Sequence, residues 1–175
     1  RTRAAGHRAV DDETVTRAVD VAICAGTTLF LAIVVWLHVA RPDVDPMIHG
    51  VSRYAAGPNG FALTTAFSAL AVATMASAWS LRQNRDGGLR VSESALWTAA
   101  ASLTVVVLLP LRPDSPGRTE YAAHQVAGAL FFIGATIGGR GIASSLSSSH
   151  VRVAARVASS LTTVFLIAFF ACVVV

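Results

Sequence analysis

The chain has 175 residues, of which 54% are hydrophobic and only 14% charged, and its formal net charge is +4. All 14 basic residues are arginine, and they are scattered near the ends of apolar stretches instead of forming a basic groove with interleaved aromatic side chains. This distribution argues against a nucleic-acid-binding protein. The long apolar stretches argue against a soluble domain.

Five apolar stretches predict an all-α, polytopic transmembrane helix bundle. A helix rises about 1.5 Å per residue, so roughly 20 residues cross a hydrocarbon core of about 30 Å. The predicted spans cover about residues 21–40, 61–81, 95–111, 124–140 and 156–175. Residues 1–20 form a polar N-terminal segment and residues 21–175 form the bundle, with a sixth span in the full gene left open.

The arginines also predict how the bundle is oriented. If the N-terminus lies inside, ten of the 14 arginines fall on the inner face, and the outer loops hold only Arg41, Arg53, Arg112 and Arg118. Cytoplasmic loops carry an excess of Lys and Arg, so we expect residues 1–20 in the cytoplasm. No span carries a charge near mid-membrane, which argues against a proton pump, an ion-coupled transporter or a voltage sensor.

The two outer loops share a sequence pattern. Arg41-Pro42-Asp43 follows the first span, Arg112-Pro113-Asp114 follows the third, and each loop then returns to the membrane through a Tyr-Ala-Ala string. The repetition predicts two helical hairpins of the same orientation, related by a pseudo-axis along the membrane normal. Coincidence in a chain rich in Ala and Arg is the alternative.

The first outer loop also carries a longer motif. A Leu-His pair precedes Arg-Pro-Asp, Asp-Pro and Ser-x-Tyr-x-x-Gly-Pro-x-Gly, and a His opens the fourth span. These features resemble the prokaryotic six-span membrane protein family known as domain of unknown function 998. The matching residues are His38, Arg41, Pro42, Asp43, Ser52, Tyr54, Gly57, Pro58, Gly60, Pro113, Asp114 and His124. The resemblance implies a helical bundle in the bacterial cytoplasmic (inner) membrane and supplies no catalytic residues; the chain departs from it in showing five spans.

Histidines and carboxylates gather on the predicted outer face, where they suggest a metal site. They are His38, His49, His124, Asp43, Asp45, Asp114 and Glu120. Such side chains bind zinc, and zinc-bound water can attack a lipid ester or amide. The chain lacks a compact motif such as H-E-x-x-H, and loop ion pairs and helix caps explain the same residues more simply. We therefore predict no metal site.

Two other kinds of chemistry involve the same histidines. His38 and His124 lie at similar depth and could ligate a haem, although hydrogen bonds to loop backbone are the simpler interpretation. Ser52 with His49 or His124 and an aspartate could form a nucleophile triad, but no nucleophile-elbow pattern surrounds it. We predict that Ser52 caps a short helix beginning near Arg53.

Small residues recur at helix-packing spacing on two spans. They are Gly134 and Gly138 on the fourth span, and Ala69, Ala73 and Ser77 on the second. Such faces allow close helix approach, either within this bundle or against another membrane protein.

Together these features predict a non-catalytic accessory or structural subunit that packs against a larger membrane complex of respiratory or photosynthetic type. Its partners would be membrane lipids and other integral membrane subunits, without nucleic acid and without a cofactor. One alternative is a lipid-handling protein or metal-dependent lipid hydrolase acting at the outer face. A second is a haem-binding electron carrier, and contact with haem or a pigment belongs to that alternative.

Overall fold

The computed structural model describes residues 2–45, 51–83, 89–110, 118–145 and 153, and every regular element within these ranges is helical. The elements are α1 (Thr2–Ala40), a 3-10 helix (Val51–Ala55), α2 (Gly60–Gln83), α3 (Arg90–Leu108) and α4 (Arg118–Ser145). The prediction of an all-α, polytopic membrane bundle is confirmed. The predicted fifth span, residues 156–175, lies outside the described residues.

Four segments in the described ranges are long and apolar enough to cross a membrane: Thr14–Ala40, Gly60–Gln83, Arg90–Leu108 and Thr119–Ser144. They correspond to the first four predicted spans. The first belongs to a continuous helix that starts at Thr2, so that α1 is 39 residues long. At 1.5 Å per residue it measures about 58 Å, roughly twice the thickness of the hydrocarbon core. Which end of the bundle faces the cytoplasm stays a prediction.

Neighbouring helices run antiparallel and pack in chain order. Leu37 near the end of α1 packs beside Leu63 near the start of α2, and Gly26 lies against Ala69 and Ala73 about two to three turns further along. In the same way, Gly134 of α4 lies against α3. Helices in a membrane gain no hydrophobic drive from each other, so small residues that permit close backbone approach supply the dispersion contacts.

One end of the bundle gathers the residues of the sequence motif. There α1 and α3 end, α2 and α4 begin, and the 3-10 helix lies between α1 and α2. We call it the Arg41 end, after the residue that follows α1 directly. The pairing of α3 with α4 and of α2 with α3 brings residues far apart in sequence to this end, which makes it the place to look for a site.

Candidate functional site

Arg41 ties together the chain segments on either side of the 3-10 helix. Its side chain is buried, and Nε and Nη2 donate to Oδ1 and Oδ2 of Asp43 at 2.8 and 2.7 Å. Nη1 donates to the carbonyl oxygens of Ala56 and Pro58 at 2.9 and 3.0 Å. The planar guanidinium supports this arrangement because its donors form a rigid fork that matches a carboxylate.

The turn that Arg41 holds depends on two residues with left-handed backbone conformation. Gly57 has a φ of 100°, and Asn59 has a φ of 68°. Glycine adopts this region without a Cβ penalty, and asparagine tolerates it better than most residues. A Cβ on Gly57 would also come within 3.3 Å of both terminal nitrogens of Arg41. The backbone conformation of this turn and the contact with Arg41 therefore explain the Gly and the Asn of the Gly-Pro-Asn-Gly string.

The ion pair shifts both of its members toward their charged forms. The hydrogen bond from Arg41 lowers the pKa of the Asp43 carboxyl below its ordinary value, and the same bond raises the pKa of Arg41. Burial raises the pKa of the Tyr54 phenol. At neutral pH the site therefore contains a charged pair beside a neutral tyrosine.

Tyr54 anchors the 3-10 helix in the core of the Arg41 end. Its ring is fully buried and packs with Leu37, Val44 and Leu63. The centroid of the His38 ring lies 5.1 Å from the centroid of the Tyr54 ring. The Tyr54 hydroxyl donates a long, 3.5 Å bond to the carbonyl oxygen of Val44, so Tyr54 contributes to stability mainly through the packing of its ring.

His124 joins three elements through both of its ring nitrogens. It is buried in the second turn of α4, with Nδ1 lying 2.8 Å from the carbonyl oxygen of Leu109, just beyond α3. A carbonyl can only accept, so we assign the proton to Nδ1. Nε2 is then an acceptor, and Ser52 Oγ donates to it from 3.1 Å. The result is a serine–histidine pair in which a backbone carbonyl orients the imidazole.

A small cavity lies beside this pair. It has room for about one water molecule. Its lining combines three polar residues with six apolar ones: Ser52, Thr64, His124, Ala55, Leu63, Phe67, Val106, Val107 and Pro110. The cavity can therefore hold one small group beside the serine and the histidine.

The residues proposed as metal or haem ligands have the following places in the structure. No group of three or more His, Cys, Asp or Glu side chains in the described ranges is placed to hold a metal ion. His49 and Asp114 lie outside those ranges, and Asp45 and Glu120 are exposed. His38 bonds to the carbonyl oxygen of Val34 in its own helix, through Nδ1 at 2.7 Å.

Ser52 differs from its predicted role as a helix cap. The 3-10 helix begins one residue earlier, at Val51, and Ser52 lies inside it with its hydroxyl on His124. The sequence allows a pair of Ser52 with His124 but favours the cap, because a contact across 72 residues has no local signal. The prediction missed Thr64 and the Leu109 carbonyl, which join the site only through the register of α2 against α3 and of α3 against α4.

The small-residue faces pack within the chain. A Cβ on Gly134 would overlap the Ala95 carbonyl oxygen, and one on Gly138 would overlap the side chain of Leu96. Ala69 and Ala73 meet Gly26. Ser77 donates to the carbonyl oxygen of Ala73 at 2.9 Å, within α2. Docking of a partner on these faces stays a prediction.

The fold and the site define an integral membrane protein of helical-bundle type, with a polar cluster at one end of its spans. Residues 24–175 match the family model described as "Protein of unknown function (DUF998)", and the chain belongs to that family. No curated protein and no solved structure matches the chain.

Proposed function

We propose that this protein cleaves or transfers acyl groups of lipid esters, with Ser52 as the nucleophile and His124 as the general base. The observation that carries the proposal is the 3.1 Å contact from Ser52 Oγ to Nε2 of an imidazole whose Nδ1 faces a carbonyl oxygen at 2.8 Å. A nucleophile on a base that a third group orients is the general arrangement of covalent acyl transfer.

Each step of the reaction uses these two side chains. Ser52 Oγ attacks the ester carbonyl carbon while Nε2 of His124 takes its proton. The bond from that carbon to the alcohol oxygen then breaks, and the departing alcohol takes the proton from Nε2. Water or a second alcohol, deprotonated by Nε2, then attacks the acyl carbon. The bond from that carbon to Ser52 Oγ breaks, Oγ takes the proton back from Nε2, and the free acid or the new ester leaves. The Leu109 carbonyl accepts from Nδ1–H throughout and stabilises the imidazolium, as a carboxylate does in other triads.

The position of the pair supports a lipid as the substrate. His124 belongs to the segment Thr119–Ser144, which is apolar enough to cross a membrane, and it lies near the start of that segment. Six of the nine residues that line the adjacent cavity are apolar, and four of these six belong to α2 and α3. An ester at the boundary between hydrocarbon and headgroups would meet the serine there.

The same hydrogen bonds also hold the 3-10 helix against α3 and α4, so the test must separate chemistry from structure. We would treat the full chain, in lipid vesicles, with a fluorophosphonate probe that labels activated serines. Wild type should be labelled at Ser52, Ser52→Ala should not, and Ser52→Cys should react with a thiol-directed probe faster than Cys24. An unlabelled wild type would overturn the proposal.

Two histidine variants complete the test. His124→Asn places the side-chain amide near the position of Nδ1 and retains the bond to Leu109. His124→Gln places the amide near the position of Nε2 and retains the bond to Ser52. Both remove the base, so both should lose labelling by roughly 100-fold or more while remaining folded. Labelling that survives in either folded variant would mean that His124 is only structural.

A second candidate function is that of an accessory subunit of a larger membrane complex, and the exposed apolar surface of α1 supports it. In the span Thr14–Ala40 only Gly26 and Leu37 are buried by the described residues, and Val35 is 64% exposed. A membrane subunit could pack there. Replacing Leu31 and Val35 with Ala should release a stoichiometric partner from the purified protein, and the same change at Leu130 and Ile133 of α4 serves as the control. A wild type that purifies with lipid alone would exclude this role.

A further inference from the structure

Thr64 has a longer bond to its own helix than the other residues of α2 and α3 that donate to the carbonyl four residues earlier. Five other hydroxyl side chains in these helices donate to the carbonyl four residues earlier at 2.8–3.0 Å: Thr65, Thr74, Ser77, Thr98 and Thr104. The bond from Thr64 Oγ1 to the Gly60 carbonyl oxygen is 3.5 Å long. An O–H···O bond is usually 2.7–2.8 Å long, so the hydroxyl of Thr64 is only weakly held by its own helix.

Thr64 also lies next to the candidate nucleophile and base. Thr64 lines the small cavity together with Ser52 and His124. Thr64 is the only polar contributor from α2, and its neighbours Leu63 and Phe67 supply apolar lining. Thr64 thus contributes a weakly held hydroxyl to the lining of the cavity that Ser52 and His124 also line.

We propose that Thr64 donates its hydroxyl to the carbonyl oxygen of the acyl group that Ser52 attacks. This inference rests on the proposed function. Negative charge develops on that oxygen as the tetrahedral intermediate forms, and a donor already in place in a water-poor site stabilises the charge without reorganisation. The space in the cavity, about one water molecule, suits a carbonyl oxygen and excludes a headgroup.

The test compares the rate of fluorophosphonate labelling in four proteins, because the phosphonyl oxygen takes the place of the carbonyl oxygen. Removal of one oxyanion donor slows reactions by roughly 100-fold or more, so we expect this loss in Thr64→Val. Thr64→Ser keeps the hydroxyl and should label near the wild-type rate. Thr65→Val removes the neighbouring, exposed hydroxyl and should label like wild type. Thermal unfolding of each variant shows that it is folded.

The outcomes separate this inference from the proposed function. Wild-type labelling with equally fast labelling of Thr64→Val would overturn the role of Thr64 and leave the Ser52–His124 proposal standing. Equal slowing in folded Thr64→Ser and Thr64→Val would also overturn it, since the hydroxyl would not be the cause. An unlabelled wild type would overturn both. If Thr64→Val fails to fold, Thr64→Ala takes its place.

Discussion

The carbonyl oxygen of Ala95 on α3 lies against the Cα of Gly134 on α4, so closely that a methyl group on the glycine would overlap it. The Cβ of Ala99, one turn further along α3, would lie 3.1 Å from the same methyl group. Gly134 therefore allows the backbones of the two helices to approach closely. Since His124 of α4 contacts the carbonyl just after α3, the helix pairing that Gly134 permits also sets the geometry of the candidate site.

Gly134→Ala should separate α3 from α4 and destabilise the protein. Its matched control is Gly128→Ala on the same helix, because a Cβ at position 128 meets nothing within 4 Å. Alanine favours a helix over glycine by about 1 kcal/mol, so the control should be neutral or slightly stabilising. Thermal unfolding in mild detergent measures both. Equal unfolding temperatures for the two variants would contradict the close packing at Gly134.

Gly57→Ala should destabilise the turn that Arg41 holds. The left-handed conformation at position 57 would cost an alanine about 1–2 kcal/mol, and its methyl group would press on the guanidinium. Ala56→Gly in the same turn removes a methyl group without changing the requirement at position 57. Denaturant unfolding of both variants gives the difference, and a Gly57→Ala protein as stable as wild type would show that the turn adapts.

The sequence predicts those features of the structure whose residues lie close together along the chain. The long apolar stretches predict the four described spans correctly, because each span follows from its own residues. The pair formed by Arg41 and Asp43 agrees with the interpretation of the acidic residues as members of loop ion pairs, since the two are separated by one residue. Gly57 is explained by a backbone conformation that the Gly-Pro-Asn-Gly string itself indicates.

The contacts within the candidate site could not be predicted from local sequence signals. The contact of Ser52 with His124 and the position of Thr64 in the cavity arise from the register between helices. Uncharged spans rich in Ala, Val and Leu encode that register only through small residues such as Gly26 and Gly134, whose partners cannot be read from the chain. The sequence predicted Ser52 as a cap for this reason, and it placed the packing glycines on a face that another protein could equally have filled.

Tyr54 offers a test of packing against hydrogen bonding. Tyr54→Phe removes only the long bond to the Val44 carbonyl and should change the free energy of unfolding by less than about 1 kcal/mol. Tyr54→Ala empties a fully buried site and should cost about 3–5 kcal/mol. Denaturant unfolding in detergent compares them. A large loss in the phenylalanine variant would mean that the hydroxyl, and not the ring, anchors the 3-10 helix.

The ion pair between Arg41 and Asp43 predicts how the thermal stability of the folded protein changes with pH. Since the pKa of Asp43 in the folded protein lies below its ordinary value of 3.8, the pair contributes stability above that value and loses it as the pH falls through the lower, folded-state pKa. Asp43→Asn should therefore unfold at a lower temperature than wild type at neutral pH, and the difference should shrink below about pH 4. The Asp43 side chain is 62% exposed, so solvent screening keeps the effect modest.

Thermal unfolding of wild type and Asp43→Asn between about pH 2 and pH 7 tests this prediction, with Glu120→Gln as a control for an exposed carboxylate. A difference that stays constant over the whole range would show that the carboxylate charge is not what Asp43 contributes.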